Sequence, residues 1–252
     1  MKRSDSSSSA PIDLSVVLPA YNESARISKT LQKIGDYLDG RSGRFEVIVA
    51  DDGSRDGTAE VAAAARPGDP RLRVLVLGRN QGKGAAVRAG VQVARGRRVL
   101  FSDADLSTPI EDLEALERAL DDGAAVAIGS RALRDSRVMV HQPWHRETMG
   151  KAFNLLVQAL ALPGIHDSQC GFKLFRLAEA QRLFGAQRLS GFSFDVEILF
   201  LARKFGFRVT EVPVSWYDSP SSRVDPVLDS ARMLRDLFRI RWDWLRGRYA
   251  RN

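Results

Sequence analysis

Residues 98–105 have the sequence RVLFSDAD, an apolar run followed at once by two carboxylates. The run at 98–101 predicts a short buried strand. Similar runs occur at 12–18, 45–50, 73–77 and 124–128, and helical patterns separate them at 24–38, 58–65, 84–94 and 110–120. Because parallel neighbours need crossover connections, this alternation predicts an α/β fold with a doubly wound, mostly parallel sheet and helices on both faces.

The pattern of the chain changes after residue 129. It predicts helices at 148–162, 177–184 and 193–205, a glycine-containing segment at 167–175, and a strand pair or bent strand at 209–216 on an antiparallel edge. A length of 252 residues suits one sizeable domain. We therefore expect a disordered, serine-rich arm at 1–11, a single domain at 12–226 and a basic amphipathic helix at 227–252.

The sequence argues against a membrane span, an internal disulfide, a zinc site and an NTPase phosphate loop. No apolar stretch approaches the roughly 18–20 residues that span a bilayer. The single cysteine, Cys170, cannot form an internal disulfide and is compatible with a reducing compartment. The histidines are scattered and lack the spacing of a zinc site. The segment GRNQGKG at 78–84 lacks the spacing and the hydroxyl of an NTPase phosphate loop.

Polar residues collect at the carboxyl ends of the predicted strands, where doubly wound sheets bind their ligands. They follow the strands at 19–23, 51–54, 78–80 and 102–105. Asp103 and Asp105 alternate along an extended chain, so they could share one divalent cation or divide their work between a cation and a sugar or ribose hydroxyl. Mg²⁺ or Mn²⁺ suits such hard oxygen ligands. The alternative is a pair of solvated turn aspartates.

Four ordered motifs in the first half resemble those of the inverting family 2 glycosyltransferases, which have the GT-A fold. They are PAYNE at 19–23, DDGS at 51–54, NQGKG at 80–84 and DAD at 103–105. Four motifs in the second half look like the branch of this family that glucosylates dolichyl or polyprenyl phosphate: GSR at 129–131, DSQCGFKLF at 167–175, FDVE at 194–197 and VPVSW at 212–216. The likeness covers roughly residues 12–241.

This resemblance implies a role for particular residues. The nucleoside pocket would be lined by Pro19, Tyr21, Glu23 and Asp51, with Lys83 and Arg88 near it; Asp103 and Asp105 would serve ribose, metal and diphosphate; and Arg131 and Arg146 would bind the acceptor phosphate. Asp103, Asp105 and Arg131 are the expected catalytic residues. Related dolichyl-phosphate mannose synthases have a glutamine where this chain has Ser107, so metal binding here would depend more on water and diphosphate oxygens.

The resemblance also implies a reaction. A hexose, with glucose from UDP-glucose favoured, would pass to a lipid phosphate whose anionic oxygen needs little help from a base. With a soluble hydroxyl acceptor, a carboxylate would have to accept a proton, and Asp167, Asp195 and Glu197 are the candidates. The alternative is that Asp167 is a turn residue and that Asp195 and Glu197 are a pair at the start of a helix. GDP-mannose and UDP-GlcNAc remain open as donors.

The C-terminal stretch 230–252 holds seven arginines against Asp236 and Asp243, a net charge of +5. Apolar residues recur at helical spacing at Leu234, Leu237, Phe238, Trp242, Leu245 and Tyr249. Such a helix either lies on an anionic membrane surface or packs its stripe on the sheet. We expect a peripheral protein on the cytoplasmic face of a membrane. A basic nucleic-acid-binding module would explain this tail but not the acidic strand ends, so no nucleic acid is expected as a partner.

Overall fold

The central sheet is built from the apolar runs of the sequence. The structure is a computed structural model that describes residues 11–140, 154–217 and 228–249. Within these ranges its strands are β1 Leu14–Ala20, β2 Phe45–Asp51, β3 Leu72–Val76, β4 Arg98–Ser102, β5 Val126–Ser130, β6 Arg137–Val140, β7 Phe172–Arg176, β8 Val209–Pro213 and β9 Ser215–Tyr217. The main sheet has the order β3-β2-β1-β4-β7-β5-β8, and β6 pairs with β9 in a second, two-stranded sheet.

Helices cover both faces of the main sheet. They are α1 Ile27–Asp39, α2 Thr58–Ala64, α3 Lys83–Gln92, α4 Leu113–Asp121, α5 at 154–160, α6 Leu177–Ala186, α7 Phe194–Lys204 and α8 Leu228–Leu245, and a 3₁₀ turn, Ile110–Asp112, precedes α4. The apolar residues of α1 and α4 share one core with Val16 of β1, whereas those of α3, α6 and α7 share a second core with Val17. Successive side chains of a strand point to opposite faces, so the predicted doubly wound architecture is confirmed.

The antiparallel pairing lies inside the sheet and not at its edge, so that prediction was wrong. The edge strand β8 runs parallel to β5, while β7 is antiparallel to both β4 and β5. The segment at 167–175 gave no strand signal because a lysine, Lys173, interrupts its apolar run. The structure buries Lys173 fully and pairs its ammonium with Asp195, which removes the usual objection to a charge in a central strand.

Strand β1 continues through Pro19 instead of ending there. Pro19 is buried and lies opposite Ala50 of β2. The pairing of β1 with β4 stops at Val17, so Pro19 lies where the strand has only one neighbour and its missing N–H is tolerated.

Some predictions fall outside the described residues. These are the arm, apart from residue 11, most of the N-terminal half of the helix predicted at 148–162, and Arg146. In the part of the chain that is described, no helix is long and apolar enough to cross a membrane.

Candidate active site

The loops after β1 and β2 are joined by hydrogen bonds at the carboxyl edge of the sheet. The Asp52 N–H donates to the Ala20 carbonyl over 2.8 Å. The Asn22 N–H donates to the Ser54 hydroxyl over 2.8 Å, and the Asn22 side-chain oxygen accepts the Arg55 N–H over 2.9 Å. Asn22 has a φ of 51°, a left-handed conformation that its short polar side chain tolerates. The first two sequence motifs therefore meet in one place.

Asp51 and Asp52 are both buried but hold different parts of this edge. The Asp51 carboxylate accepts the N–H of Ser54 over 3.0 Å and also the hydroxyl of that serine. The Asp52 carboxylate accepts the N–H groups of Gln81 and Gly82 over 2.7 and 2.8 Å. Asp52 thus positions the turn that leads into α3. Sequence analysis missed this role, since nothing local distinguishes the two neighbouring aspartates.

Lys83, the first residue of α3, places its ammonium 2.7 Å from a carboxylate oxygen of Asp103. Burial disfavours the charged lysine, but the nearby carboxylates of Asp103, Asp195 and Asp105 outweigh burial and raise the pKa of Lys83. Its ammonium also lies 5.4 Å from the centre of the Phe101 ring. Lys83 therefore stays protonated at the N-terminus of α3. Backbone N–H groups at such a helix end also stabilise phosphate.

The two carboxylates of the D-A-D motif face different surroundings. The Asp103 N–H donates to the Gly171 carbonyl over 2.9 Å, and a Cβ at Gly171 would lie only 2.0 Å from Oδ2 of Asp103. Asp105 is exposed, and its Oδ1 accepts the Ser107 N–H over 3.0 Å. Leu106, between Asp105 and Ser107, turns the chain with a φ of 50°. Asp103 faces the interior of the site, and Asp105 faces its open side.

A second charge cluster follows β5. Nε and Nη2 of Arg131 donate to the two carboxylate oxygens of Asp167 over 2.7 and 2.9 Å. Glu211 accepts the Asp167 N–H over 2.9 Å, and the guanidinium lies 5.3 Å from the centre of the Trp216 ring. Burial by itself would raise the pKa of Asp167, yet the Arg131 guanidinium lowers it. A carboxylate held in this way is a weak proton acceptor.

A buried ion pair joins β7 to the first turn of α7. The Lys173 ammonium donates to Oδ1 of Asp195 over 2.5 Å and to the Cys170 carbonyl over 2.6 Å. Burial raises the pKa of Asp195, although the ammonium groups of Lys173 and Lys83 oppose the shift. The electrostatic coupling of Asp195 to Lys83 and Asp103 connects this ion pair with the carboxyl edge of the sheet. Lys173 was not among the residues predicted from sequence, because a lysine in an apolar run looks like a strand break.

The model of a known family, Glycosyl transferase family 2, matches residues 15–184, which include Asp51, Lys83, Asp103 and Arg131. The chain belongs to glycosyl transferase family 2. This family 2 chain is 37% identical over 247 residues to the human dolichyl-phosphate beta-glucosyltransferase, covering 93% of the chain and 76% of that relative. The enzyme of that name from Drosophila melanogaster is 39% identical, with 94% and 76% covered. The one from Saccharomyces cerevisiae is 35% identical, with 96% and 78% covered.

The likeness in fold extends to solved structures. The mannosyl-3-phosphoglycerate synthase of Rubrobacter xylanophilus superposes with a TM-score of 0.68 at 19% identity, covering 95% of this chain and 76% of that one. The glucosyl-3-phosphoglycerate synthase of Mycobacterium tuberculosis, in complex with Mn²⁺ and UDP-glucose, gives a TM-score of 0.65 at 21% identity, covering 94% and 79%. The GT-A fold expected from the motifs is therefore confirmed for this family 2 glycosyl transferase.

In this family 2 glycosyl transferase, Glu197 supports the structure around the site. Its carboxylate accepts the N–H groups of Arg188 and Leu189 over 3.0 and 2.9 Å and the Tyr249 hydroxyl over 2.7 Å. Burial raises the pKa of Glu197, and these hydrogen bonds counteract the shift. Glu197 and Asp195 both lie in the first turn of α7, as the helix-start alternative predicted.

The other predicted residues are distributed between the carboxyl edge and its surroundings. Tyr21 and Glu23 are partly buried on the loop after β1. Arg88 donates to the Gln187 carbonyl over 3.3 Å, on the connection between α6 and α7. Arg146, the second residue expected at the acceptor phosphate, lies outside the described residues. The structure thus brings Lys83 and Asp103 into electrostatic contact with Asp195, and it gives Arg88 a partner in the second half of the chain.

Proposed function

We propose that this glycosyl transferase moves glucose from UDP-glucose to the phosphate of a dolichyl or other polyprenyl lipid, with inversion at the anomeric carbon. The observation that carries the proposal is the segment 167–171. At one end Asp167 binds Arg131, and at the other the Gly171 carbonyl accepts the Asp103 N–H. The segment thereby links the Arg131 guanidinium, which is suited to an acceptor phosphate, to the Asp103 carboxylate on the donor side. The relatives named dolichyl-phosphate beta-glucosyltransferase support the same reaction.

The donor would lie across the carboxyl ends of β1, β2 and β4. Asp51, Tyr21 and Glu23 would border the nucleoside, as would Pro19, which is buried in β1. Lys83 supplies positive charge for the diphosphate next to Asp103. As charge builds on the leaving diphosphate, an ammonium already in place needs no reorganisation to stabilise it.

A divalent cation, Mg²⁺ or Mn²⁺, suits the open side of this site. Asp105 is exposed, with one carboxylate oxygen bonded to the Ser107 N–H, and Asp103 is the second carboxylate. Among the described residues there is no group of three or more His, Cys, Asp and Glu side chains that could hold a metal. Two carboxylates fit a cation that completes its shell with substrate diphosphate and water oxygens. When bound, the cation would neutralise diphosphate charge.

The acceptor oxygen does not need a general base in this proposal. A phosphate monoester is anionic near neutral pH, so it can attack the anomeric carbon as the bond to the diphosphate breaks. Arg131 keeps 32% of its side chain exposed, and no acceptor among the described residues is seen for its Nη1. This nitrogen can orient the incoming phosphate while Asp167 fixes the plane of the guanidinium. The lowered pKa of Asp167 makes it unsuited to accept a proton.

The reaction would take place at a membrane surface, since the acceptor is a lipid, and we place it on the cytoplasmic side. Cys170, the single cysteine of the sequence, is a buried free thiol, as suits a reducing compartment. The basic nucleic-acid module considered as another class of function has no support from the family.

The test is release of UDP from UDP-glucose with Mg²⁺ or Mn²⁺, with and without a polyprenyl phosphate in detergent. We expect turnover that depends on the lipid phosphate, and a loss of about 100-fold in Asp105→Ala. Asp36→Ala is the matched control, since Asp36 is an exposed aspartate on α1. Metal-dependent hydrolysis of UDP-glucose without stimulation by the lipid would refute the proposed acceptor. Turnover with GDP-mannose or UDP-GlcNAc but not with UDP-glucose would refute the proposed donor.

A further inference from the structure

Among the residues that the structure describes, the C-terminal helix α8 has one apolar face that is buried and one that is exposed. Met233, Leu237 and Ile240 are buried, and the last two belong to the core that α7 also lines. Phe238 and Trp242 are 57% and 53% exposed. Leu245, one turn further on, is 77% exposed. Residues 238, 242 and 245 lie four and three positions apart and so share one side of the helix.

The charges of α8 are divided between the same two directions. Within residues 232–249, where the burial of the side chains is described, Asp243 is 1% exposed and Asp236 is 14% exposed, so the two acidic groups of this stretch face inward. Asp236 accepts the Ser193 hydroxyl over 2.8 Å, and Asp243 accepts a guanidinium N–H of Arg248 over 2.8 Å. The exposed charges within residues 232–249 are all arginines: Arg232, Arg235, Arg239, Arg241, Arg246 and Arg248.

We propose that the outer face of α8, defined by Phe238, Trp242 and Leu245, docks on an anionic lipid bilayer. Aromatic and leucine side chains enter the boundary between headgroups and acyl chains, while guanidinium groups meet the anionic headgroups. The Arg246 guanidinium lies 4.4 Å from the centre of the Trp242 ring, an arrangement that keeps the charge at the level of the indole. A second copy of the chain is disfavoured, because two such faces would bring arginines against arginines.

Docking through α8 would also orient the active site, because the helix is bonded to the element that carries Asp195. The Tyr249 hydroxyl, just after α8, donates to Glu197 of α7, and Ser193, at the start of α7, donates to Asp236 of α8. The neighbouring helix α5 is joined to α8 by Arg241, whose guanidinium donates to the Leu160 carbonyl. The inference rests on the proposed function, since that function supplies a reason for the enzyme to approach a membrane.

The test is co-sedimentation of the full chain with vesicles of phosphatidylcholine alone or with about a third phosphatidylserine. We expect binding only to the anionic vesicles, lowered at least about tenfold in the double variant Phe238→Ser, Trp242→Ser. Both side chains are more than half exposed, so the fold should be retained. Val76→Ser, a change at another exposed apolar residue on the edge strand β3, is the matched control and should bind as the wild type does.

A charge variant tests the second half of the argument. Replacing Arg235 and Arg239 with glutamine should lower binding to anionic vesicles by about fivefold for each arginine. Arg118→Gln on α4 should have no effect. Since this assay contains neither donor nor acceptor, its outcome is separate from that of the reaction. Turnover on a short-chain, water-soluble polyprenyl phosphate, measured without vesicles, should persist in the Phe238, Trp242 double variant.

Three results would overturn the docking proposal. The first is vesicle binding by the Phe238, Trp242 double variant equal to that of the wild type. The second is equal binding of the wild type to neutral and anionic vesicles, because the arginines would then have no part in it. The third is a solution dimer that the same double variant converts to a monomer, without vesicle binding, which would assign this face to a second copy.

Discussion

Replacing Gly171 by alanine should damage the donor side of the site while leaving the fold intact. A Cβ at this position would lie 2.0 Å from Oδ2, 2.3 Å from Cγ and 2.7 Å from Oδ1 of Asp103. Real Cβ atoms are essentially never closer than 3.0 Å to such atoms, so Oδ2 must retreat by at least 1.0 Å. Displacement of a catalytic group by about 1 Å costs roughly 100-fold in rate. We expect a loss of this size in kcat.

The free energy of unfolding should change much less. Gly171 does not have a left-handed backbone, and the Asp103 side chain is 33% exposed and can move toward solvent. The cost should be about 1 kcal/mol, mainly from weakening the ion pair between Asp103 and Lys83. Gly185→Ala is the control, because its Cβ would meet nothing closer than Gln92 Nε2 at 3.7 Å. That change, inside α6, should leave turnover unchanged and stabilise the chain by about 0.5–1 kcal/mol.

The assay for this pair of variants is steady-state release of UDP from UDP-glucose, together with urea unfolding. Wild-type kcat in Gly171→Ala would refute the idea that Asp103 needs its observed position. A loss of several kcal/mol in unfolding free energy would refute the idea that the carboxylate, and not the backbone, gives way.

Two further predictions concern the charged pairs. In Asp167→Asn, loss of the paired carboxylate should cost about 2 kcal/mol at neutral pH, since Arg131 is partly exposed. Because the folded-state pKa of Asp167 is lowered, the stability that its carboxylate contributes should disappear in the wild type as the pH falls below the ordinary value of 3.8. Urea unfolding with the same acid dependence in both proteins would contradict this prediction. Lys173→Met should cost about 3–5 kcal/mol by leaving Asp195 buried without its partner, and adding Asp195→Leu should recover much of it; additive losses in this cycle would contradict the pairing.

The meeting of the first-half motifs at one edge of the sheet could be predicted largely from the sequence, because the signals for it are local. Strands β1, β2 and β4 are apolar runs, and the polar residues after them must meet at one edge of a parallel sheet. Asp52 escaped notice for the opposite reason. Its bonds to Gln81 and Gly82 join residues about thirty positions apart, and no spacing along the chain distinguishes it from Asp51.

Helix α8 shows a different limit of sequence reasoning. Its apolar residues at Leu237, Phe238 and Trp242 could be assigned to one stripe, facing either a membrane or the sheet. The structure buries Leu237 and exposes the other two. The apolar residues surround more of the helix than one contact can cover, so only the packing of α8 on the core decides which of them remain exposed.

The sequence by itself determined the alternation of strands and helices, the family and the position of the D-A-D carboxylates, because apolar spacing and turn residues act over a few positions. The tertiary structure alone decided which charges are balanced. Lys83 meets Asp103, Arg131 meets Asp167, and Lys173 becomes acceptable inside a strand only because α7 brings Asp195 to it. Coulomb energy depends on distance through space and on burial, and neither quantity is encoded in the separation of two residues along the chain.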